Sequence, residues 1–372
     1  MSPIQQMFLG VPAGGGGDKY TDTYGTLFRY QNTSGQQRSS YIVTNNEFSS
    51  TTVHDDKPDI SYPMGGWCCS GDYLHFVGYW GPYHMIKLSD LSYYNGNAAS
   101  YAGTPMAYTS DYTSNLVTTY WGGYMSPQYT TDNTVTPYPS YSQVTKNNYS
   151  MSRGYIHGVA SLNGNIALAI GSNDSGVNAS RILKSTDGGA SFSEVYSQTY
   201  YSFAGYLGSY PDYNGGKFLW WRLNTTSTNS GTNSTFSSSD GSSWTNEGAQ
   251  SNGPGSPTYH GTLEIVYNKD TSKFYYAWDS STLKESSDGV SWTSVTLPDV
   301  NRNVAVMKNG DMVGMVIDGT DAKFYKYARS GTSINWSSPT LLNTTAISSN
   351  ISSVGAGTLY GFNAPSNGGI VT

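Results

Sequence analysis

An all-β chain built from repeated four-stranded units is what three features of the sequence predict. The first is composition. Of 372 residues, 43 are Gly and 33 are Tyr, and only 12% are charged. Gly, Ser, Thr, Asn and Tyr rank low as helix formers, whereas Tyr, Trp, Phe, Thr and Val suit a pleated, half-buried surface. The second is a recurring phrase, SSDGVSW at 286–292 and SSDGSSW at 238–244, with a longer variant STDGGASF at 185–192. The third is its spacing. The aromatics that close the phrases, Phe192, Trp244 and Trp292, are followed by Trp336, at separations of 52, 48 and 44 residues. A period in this range with four short strands per repeat predicts the blade of a β-propeller.

The unit is clearest around Asp288. GTLEIVYN (261–268), SKFYYAWDS (272–280), TLKESS (282–287) and SWTSVTL (291–297) read as four strands separated by turn residues. The preceding unit has FLWWRLN, STFSSS and SSWTNEG, and the one before it NIALAIGS, RILKS and SFSEVYS. The following unit has NVAVMKNG, DMVGMVIDG, AKFYKYA and INWSSPTLL. Alternation along FLWWRLN sends at least one of Trp220 and Trp221 into the core. In the front half, GGWCCSG, DYLHFVGYW, YHMIKLSD and LSYYNG fit one unit between 62 and 97. A looser, Tyr-rich unit covers 98–149, in which 129–150 reads as a long surface loop. YGTLFRYQN and SSYIVTNNE open another, and VGAGTLYGFNA near the far end supplies a strand with no full unit around it. Joining the two ends in one sheet closes the ring and removes exposed edges. The count is seven blades, with six and eight as the alternatives.

The phrase has a physical logic. An Asp carboxylate accepts backbone N–H groups in a tight turn, Gly supplies a positive φ, and the Ser hydroxyl bonds the turn from the other side. The trailing aromatic packs between neighbouring sheets. With these residues in place, the pattern resembles the Asp-box of sialidase-type β-propellers. The residues that match are Ser185, Asp187, Gly189 and Phe192; Ser238, Asp240, Gly241 and Trp244; and Ser286, Asp288, Gly289 and Trp292. A fourth copy, SGTSINW at 330–336, lacks the Asp, and no clean copy precedes Ser185. The resemblance implies a structural role for these residues, away from the ligand-binding face.

It does not carry over a catalytic apparatus. A sialidase would show an Arg triad, a Tyr/Glu pair and an Asp acid. Here Phe28-Arg29 continues as Tyr30-Gln31 instead of the family's Ile-Pro, and Arg38, Arg153, Arg181, Arg222, Arg302 and Arg329 are scattered. The expectation is a chain without enzymatic activity, and without cofactor or metal. The five His residues do not pair at ligand spacing, and His54-Asp55-Asp56 reads as a solvated loop. The adjacent Cys68 and Cys69 read as small buried thiols. A net charge of −6 with no basic run argues against nucleic acid, and no apolar run is long enough to span a bilayer. The aromatics around Gly in YWGPYHM and YWGGYMSPQY make Trp80, Tyr83, Trp121 and Tyr124 candidates for contact with glycan rings.

The segment MSPIQQMFLGVPAGGGG has neither the basic start nor the apolar stretch of a secretory signal. Its Pro-Ile-Gln-Gln-Met-Phe-Leu-Gly phrase resembles the start of bacteriophage tail-fibre and related virion proteins. That resemblance implies a virion structural protein that folds in the host cytoplasm, leaves by lysis and contacts other virion proteins, with host-surface glycans as a further partner. Residues 1–19 are then an attachment arm, with Ile4, Met7, Phe8 and Leu9 as docking groups and Gly14–Gly17 as hinge, and residues 20–372 form the propeller. The alternatives are a lectin-like binding module, a degenerate sialidase-fold glycosidase, or a spacer within an assembly.

Overall fold

A computed structural model of the chain describes residues 24–58, 67–70, 73–77, 83–87, 89–96, 102–108, 116–121, 125–130, 154–174, 177–187, 191–198, 204–223, 233–251, 265–277, 282–298 and 301–361. Strands β1 (Tyr24–Asn32), β2 (Gln37–Thr44) and β3 (Thr52–Lys57) begin the first sheet. The second holds β4 (Trp67–Ser70), β5 (Tyr73–Val77), β6 (Tyr83–Lys87) and β7 (Tyr93–Gly96). A three-stranded sheet follows from β8 (Ala102–Tyr108), β9 (Leu116–Trp121) and β10 (Met125–Thr130). The fourth is β11 (Gly154–Leu162), β12 (Asn165–Asp174), β13 (Val177–Ser185) and β14 (Ser193–Gln198). The fifth is β15 (Ala204–Tyr210), β16 (Lys217–Leu223), β17 (Ser234–Ser238) and β18 (Thr245–Ala249). The sixth is β19 (Val266–Asn268), β20 (Lys273–Ala277), β21 (Thr282–Ser286) and β22 (Thr293–Thr296). The seventh takes β23 (Asn301–Val306), β24 (Met312–Asp318) and β25 (Asp321–Tyr327). A small hairpin, β26 (Arg329–Ser330) and β27 (Ser333–Ile334), precedes its outer strand β28 (Thr340–Ala346). Finally β29 (Ile351–Gly361) pairs antiparallel with β1, from Tyr24↔Gly361 to Asn32↔Ile351. The expected sharing of one sheet by the two ends is therefore present. All-β architecture, antiparallel four-stranded sheets and this closure define a β-propeller.

Successive sheets pack face against face. Leu162, Ala169 and Ile182 of the fourth meet Phe218, Trp220 and Phe236 of the fifth. Leu219 and Trp221 meet Tyr267, Phe274 and Tyr276 of the sixth. Tyr275 and Leu283 meet Val304, Met312 and Tyr327 of the seventh. Met315 and Phe324 then meet Phe28, Tyr30 and Ile42 of the first. Because both faces of a sheet are covered, Trp220 and Trp221 are both fully buried, one in each interface. Alternation alone accounts for one of the pair; the second is buried by the neighbouring sheet.

The innermost strands β11 and β15 carry no clean apolar alternation, and the sequence reading assigns neither. Close approach explains their glycines. A Cβ at Gly158 would lie 2.7 Å from the Leu207 Cβ of the next sheet, and one at Gly208 would lie 2.6 Å from the Tyr210 hydroxyl. A second difference concerns INWSSPTLL, expected as one strand. It divides between β27 and β28, and Trp336 stands between them, packed on Tyr275 and Tyr327.

A third correction falls on His54-Asp55-Asp56. These residues lie within β3. His54 Nε2 contacts the Leu91 carbonyl of the second sheet at 2.6 Å. Asp55 accepts from the Tyr30 hydroxyl (2.7 Å), the Ser348 hydroxyl (2.9 Å) and the Ser349 N–H (3.1 Å). It thus ties β1 and β3 to the segment that leads into β29. Burial pushes the Asp55 carboxyl up, but these hydrogen bonds outweigh it and hold the group below its ordinary value. Burial also pushes the Tyr30 phenol up to about 12, so it stays a donor. A depressed carboxyl stabilises the fold above its unfolded pKa and ceases to as pH falls through the folded value. Asp55→Asn is expected to lose about 1 kcal/mol at pH 7, a modest figure for hydrogen bonds to a charge at a half-buried site. Urea unfolding across pH should show that deficit intact above about pH 4 and shrinking below it.

Candidate functional site

The Ser-x-Asp phrases form closed polar corners between the third and fourth strands of their sheets. In the fifth sheet the Ser238 hydroxyl donates to Asp240 Oδ1 (3.0 Å) and accepts from the Gly241 N–H (2.8 Å). The same Oδ1 accepts from the N–H groups of Ser242 (2.7 Å) and Ser243 (2.9 Å). The sixth sheet repeats this with Ser286, Asp288, Gly289, Val290 and Ser291, at 2.8–2.9 Å. The longer phrase differs: Asp187 reaches four residues on and accepts both the N–H and the hydroxyl of Ser191. Gly189 lies outside the described residues. Gly241 and Gly289 each have φ +71°, the left-handed conformation that glycine adopts without penalty.

Each of these carboxylates is held by several hydrogen bonds. Backbone N–H bonds from Ser243 and Ser242 hold Asp240 below the usual carboxylate range. Burial pushes Asp187 and Asp288 up, yet their hydrogen bonds bring both to a net lowering. A carboxylate held ionised by the N–H groups of its own turn is a turn clamp, poorly tuned for acid–base work.

The corners of the fifth and sixth sheets also reach the preceding sheet. The Gly289 carbonyl accepts from Trp221 Nε1 (2.7 Å) and the Thr235 hydroxyl (2.9 Å), both in the fifth sheet. Lys184 of the fourth donates to the Ser242 hydroxyl (2.7 Å). The trailing aromatics follow the corner inward: Phe192, Trp292 and Trp336 are buried, and Trp292 lies 6.4 Å from Trp221 and 4.9 Å from Tyr276. Trp244 is only half-buried. Its ring lies 6.2 Å from Phe218, and its Nε1 donates to the Gly241 carbonyl.

The structure adds corners that a search for Asp and Gly passes over. In the first sheet Thr44, Asn46 and Ser50 occupy the spacing of Ser185, Asp187 and Ser191. The Thr44 hydroxyl bonds Asn46 Oδ1 (2.6 Å), and that oxygen accepts from the Ser50 N–H (3.1 Å). No aromatic follows Ser50. Phe48, inside the turn at φ +64°, takes its place, stacked 4.1 Å from Phe324 and 5.1 Å from Tyr24. In the second sheet Asp90 accepts the Ser92 N–H (2.9 Å), and buried Leu91 at φ +57° is the anchor. The signal was a threonine or serine two residues ahead of an amide, with serine six residues on.

The aromatic candidates are less informative. Tyr83 starts β6 and Trp121 ends β9, so they stand on different sheets. Trp80 and Tyr124 lie outside the described residues, as do Ile4, Met7, Phe8 and Leu9 of the arm. Cys68 and Cys69 are both on β4. Among the described residues no three His, Cys, Asp or Glu side chains cluster as a metal site, and no helix is long and apolar enough to cross a membrane.

No protein-family model matches the chain, and no curated protein matches its sequence. Solved structures match its fold. A protein from Lactobacillus plantarum superimposes with a TM-score of 0.54 at 14% identity, covering 91% of this chain and 99% of its own. Candidate 6-phosphogluconolactonases from Bacteroides fragilis and Bacteroides uniformis give 0.54 and 0.52, each at 12% identity. Each covers 91% of this chain, and 99% and 100% of its own length respectively. These similarities place the chain among β-propellers. They also correct one expectation. A chain without enzymatic activity was inferred from missing sialidase residues, but two of these end-to-end neighbours are candidate lactonases. Missing one family's apparatus does not exclude another's.

The corner at Gly289 should be sensitive to a single methyl group. A Cβ there would lie 3.3 Å from the Trp221 ring, whereas one at Gly164, with φ +76°, would meet nothing within 4 Å. Both alanine variants bear the left-handed strain, roughly 1 kcal/mol. Gly289→Ala should cost at least ~1 kcal/mol more from overpacking, read as a difference in urea midpoints.

Proposed function

We propose that this chain is the propeller component of a bacteriophage particle, seven-bladed, attached through its N-terminal arm and turned toward host-surface glycans. The observation that carries this reading is the phrase Pro3-Ile4-Gln5-Gln6-Met7-Phe8-Leu9-Gly10, which resembles the opening of phage tail-fibre and related virion proteins. Two further features support it. The chain is poor in charge and rich in Tyr and Gly, a composition suited to a compact β structure in the open. Its ring is latched by β29, which leaves few free strand ends to fray. The recurrent corners, in the likeness of Asp-boxes, then serve as staples between blades, which leaves the glycan-facing work to other loops.

The reading is tested on purified particles. Mass spectrometry should find the chain in them. Removing residues 1–17 should leave the circular dichroism and melting of the propeller unchanged while abolishing incorporation; normal incorporation of the shortened chain would sink the arm's role.

A second reading is a hydrolase on the same ring, favoured by the match to two candidate 6-phosphogluconolactonases over nearly their whole length. It expects the purified chain to open 6-phosphogluconolactone faster than buffer does, followed by proton release at constant pH. A rate equal to the spontaneous one would remove this reading.

A further inference from the structure

Between the fourth and fifth sheets lies a polar group that the corners do not use. Arg222, near the end of β16, is only 8% exposed. Its Nη1 donates to the side-chain oxygen of Gln198, the last residue of β14. The Tyr196 hydroxyl donates to the same oxygen at 3.3 Å. The guanidinium carbon lies 5.3 Å from the centre of the Phe236 ring, which itself is 5.3 Å from that of Tyr196. Register places the group away from the corners: Arg222 pairs with Ser234 and Gln198 with Ser180, whereas the corners follow Ser185 and Ser238 at the other end of each third strand.

Among the described residues no carboxylate pairs with Arg222. Glu194 pairs with Arg181 at 3.4 Å, Glu247 accepts from Ser237, and Asp187 and Asp240 are held in their corners. The flanking segments, TYYSF at 199–203 and NTTSTNSGT at 224–232, contain neither Asp nor Glu. A buried cation is ordinarily matched by an anion. Here burial pulls the guanidinium below its usual value and pushes the Tyr196 phenol up, so the phenol remains a donor. Two donors therefore converge on one neutral amide oxygen, where an anionic oxygen would form the stronger, charge-assisted bonds. Gln198 is half-buried and can turn outward to water.

We propose that Arg222 and Tyr196 form a subsite for one carboxylate group of a small acidic ligand, whose oxygen displaces that of Gln198. One guanidinium with one phenol matches a single negative charge, and the Phe236 ring packs against both the guanidinium and the Tyr196 ring. A phosphate dianion would call for a second cation, and among the described residues none accompanies Arg222. The inference stands whether or not the chain belongs to a particle.

Sodium glucuronate is the probe, with glucose and inorganic phosphate as controls, followed by titration calorimetry and by saturation-transfer NMR on the intact chain. Glucuronate should bind saturably and glucose should not. Arg222→Gln should weaken binding roughly tenfold or more, the loss of a charge-assisted bond. Gln198→Leu removes the competing oxygen and should bind at least as tightly as the parent; it decides the matter if Arg222→Gln fails to fold. The proposal is overturned by absence of saturable binding, by equal binding of glucose, by tighter binding of phosphate, by an unaffected Arg222→Gln variant, or by tenfold loss in Gln198→Leu.

Discussion

The fifth, sixth and seventh sheets are each covered on both faces, and that constraint organises the rest. A strand with one wet face can place every second residue in water. Here β16 cannot: Phe218 and Trp220 fill one interface while Leu219 and Trp221 fill the next. Large aromatics supply this two-sided burial at low side-chain entropy cost, and their edge-to-face pairs contribute about 0.5–1.5 kcal/mol each beyond buried area. Tyr210 against Trp221 and Phe274, near perpendicular at 86° and 89°, is such a cluster. The polar remainder of the composition then falls to turns and outer strands, where β18 and β22 are mostly exposed.

Corners convert this packing into alignment. A turn clamped by an ionised carboxylate would fix only its own hairpin. The Gly289 carbonyl, accepting from two side chains of the previous sheet, links that local geometry to the interface. The hydrogen-bonded turn and the aromatic beneath it therefore act on the same blade boundary. In the first sheet the same boundary is served by different means. Asn46 replaces the carboxylate, and Phe48 enters from within the turn at a positive φ that burial and the Asn343 side-chain bond to its carbonyl sustain.

What could be read from the sequence followed from where its signals are local. The corners at 185–192, 238–244 and 286–292 are fixed by contacts within seven or eight residues, so their spacing revealed both the unit and its period. Strands β12 and β16 follow because their apolar residues are contiguous, and β13, β17 and β21 because each leads into a corner phrase. The innermost strands β11 and β15 were hidden because their residues answer to neighbours in the next sheet: Gly158 is selected by Leu207, forty-nine positions away. The role of Asp55 was hidden for the same reason, since its partners Ser348 and Ser349 lie nearly three hundred residues downstream. Arg222 looked scattered in sequence because its meaning depends on Gln198 and Tyr196 of another sheet. The expectation of a chain without enzymatic activity rested on different grounds, the residue set of a single family.

The first sheet draws three strands from the beginning of the described chain and its innermost strand, β29, from the end. During synthesis β1 therefore waits with an open hydrogen-bonding edge until more than three hundred further residues have been made. Such an edge invites pairing with the wrong chain, and so distant a closure is slow. Emergence of β29, rather than local strand formation, sets the moment at which the ring can lock, and a nascent chain stalled before β29 would be a template for association with its own copies.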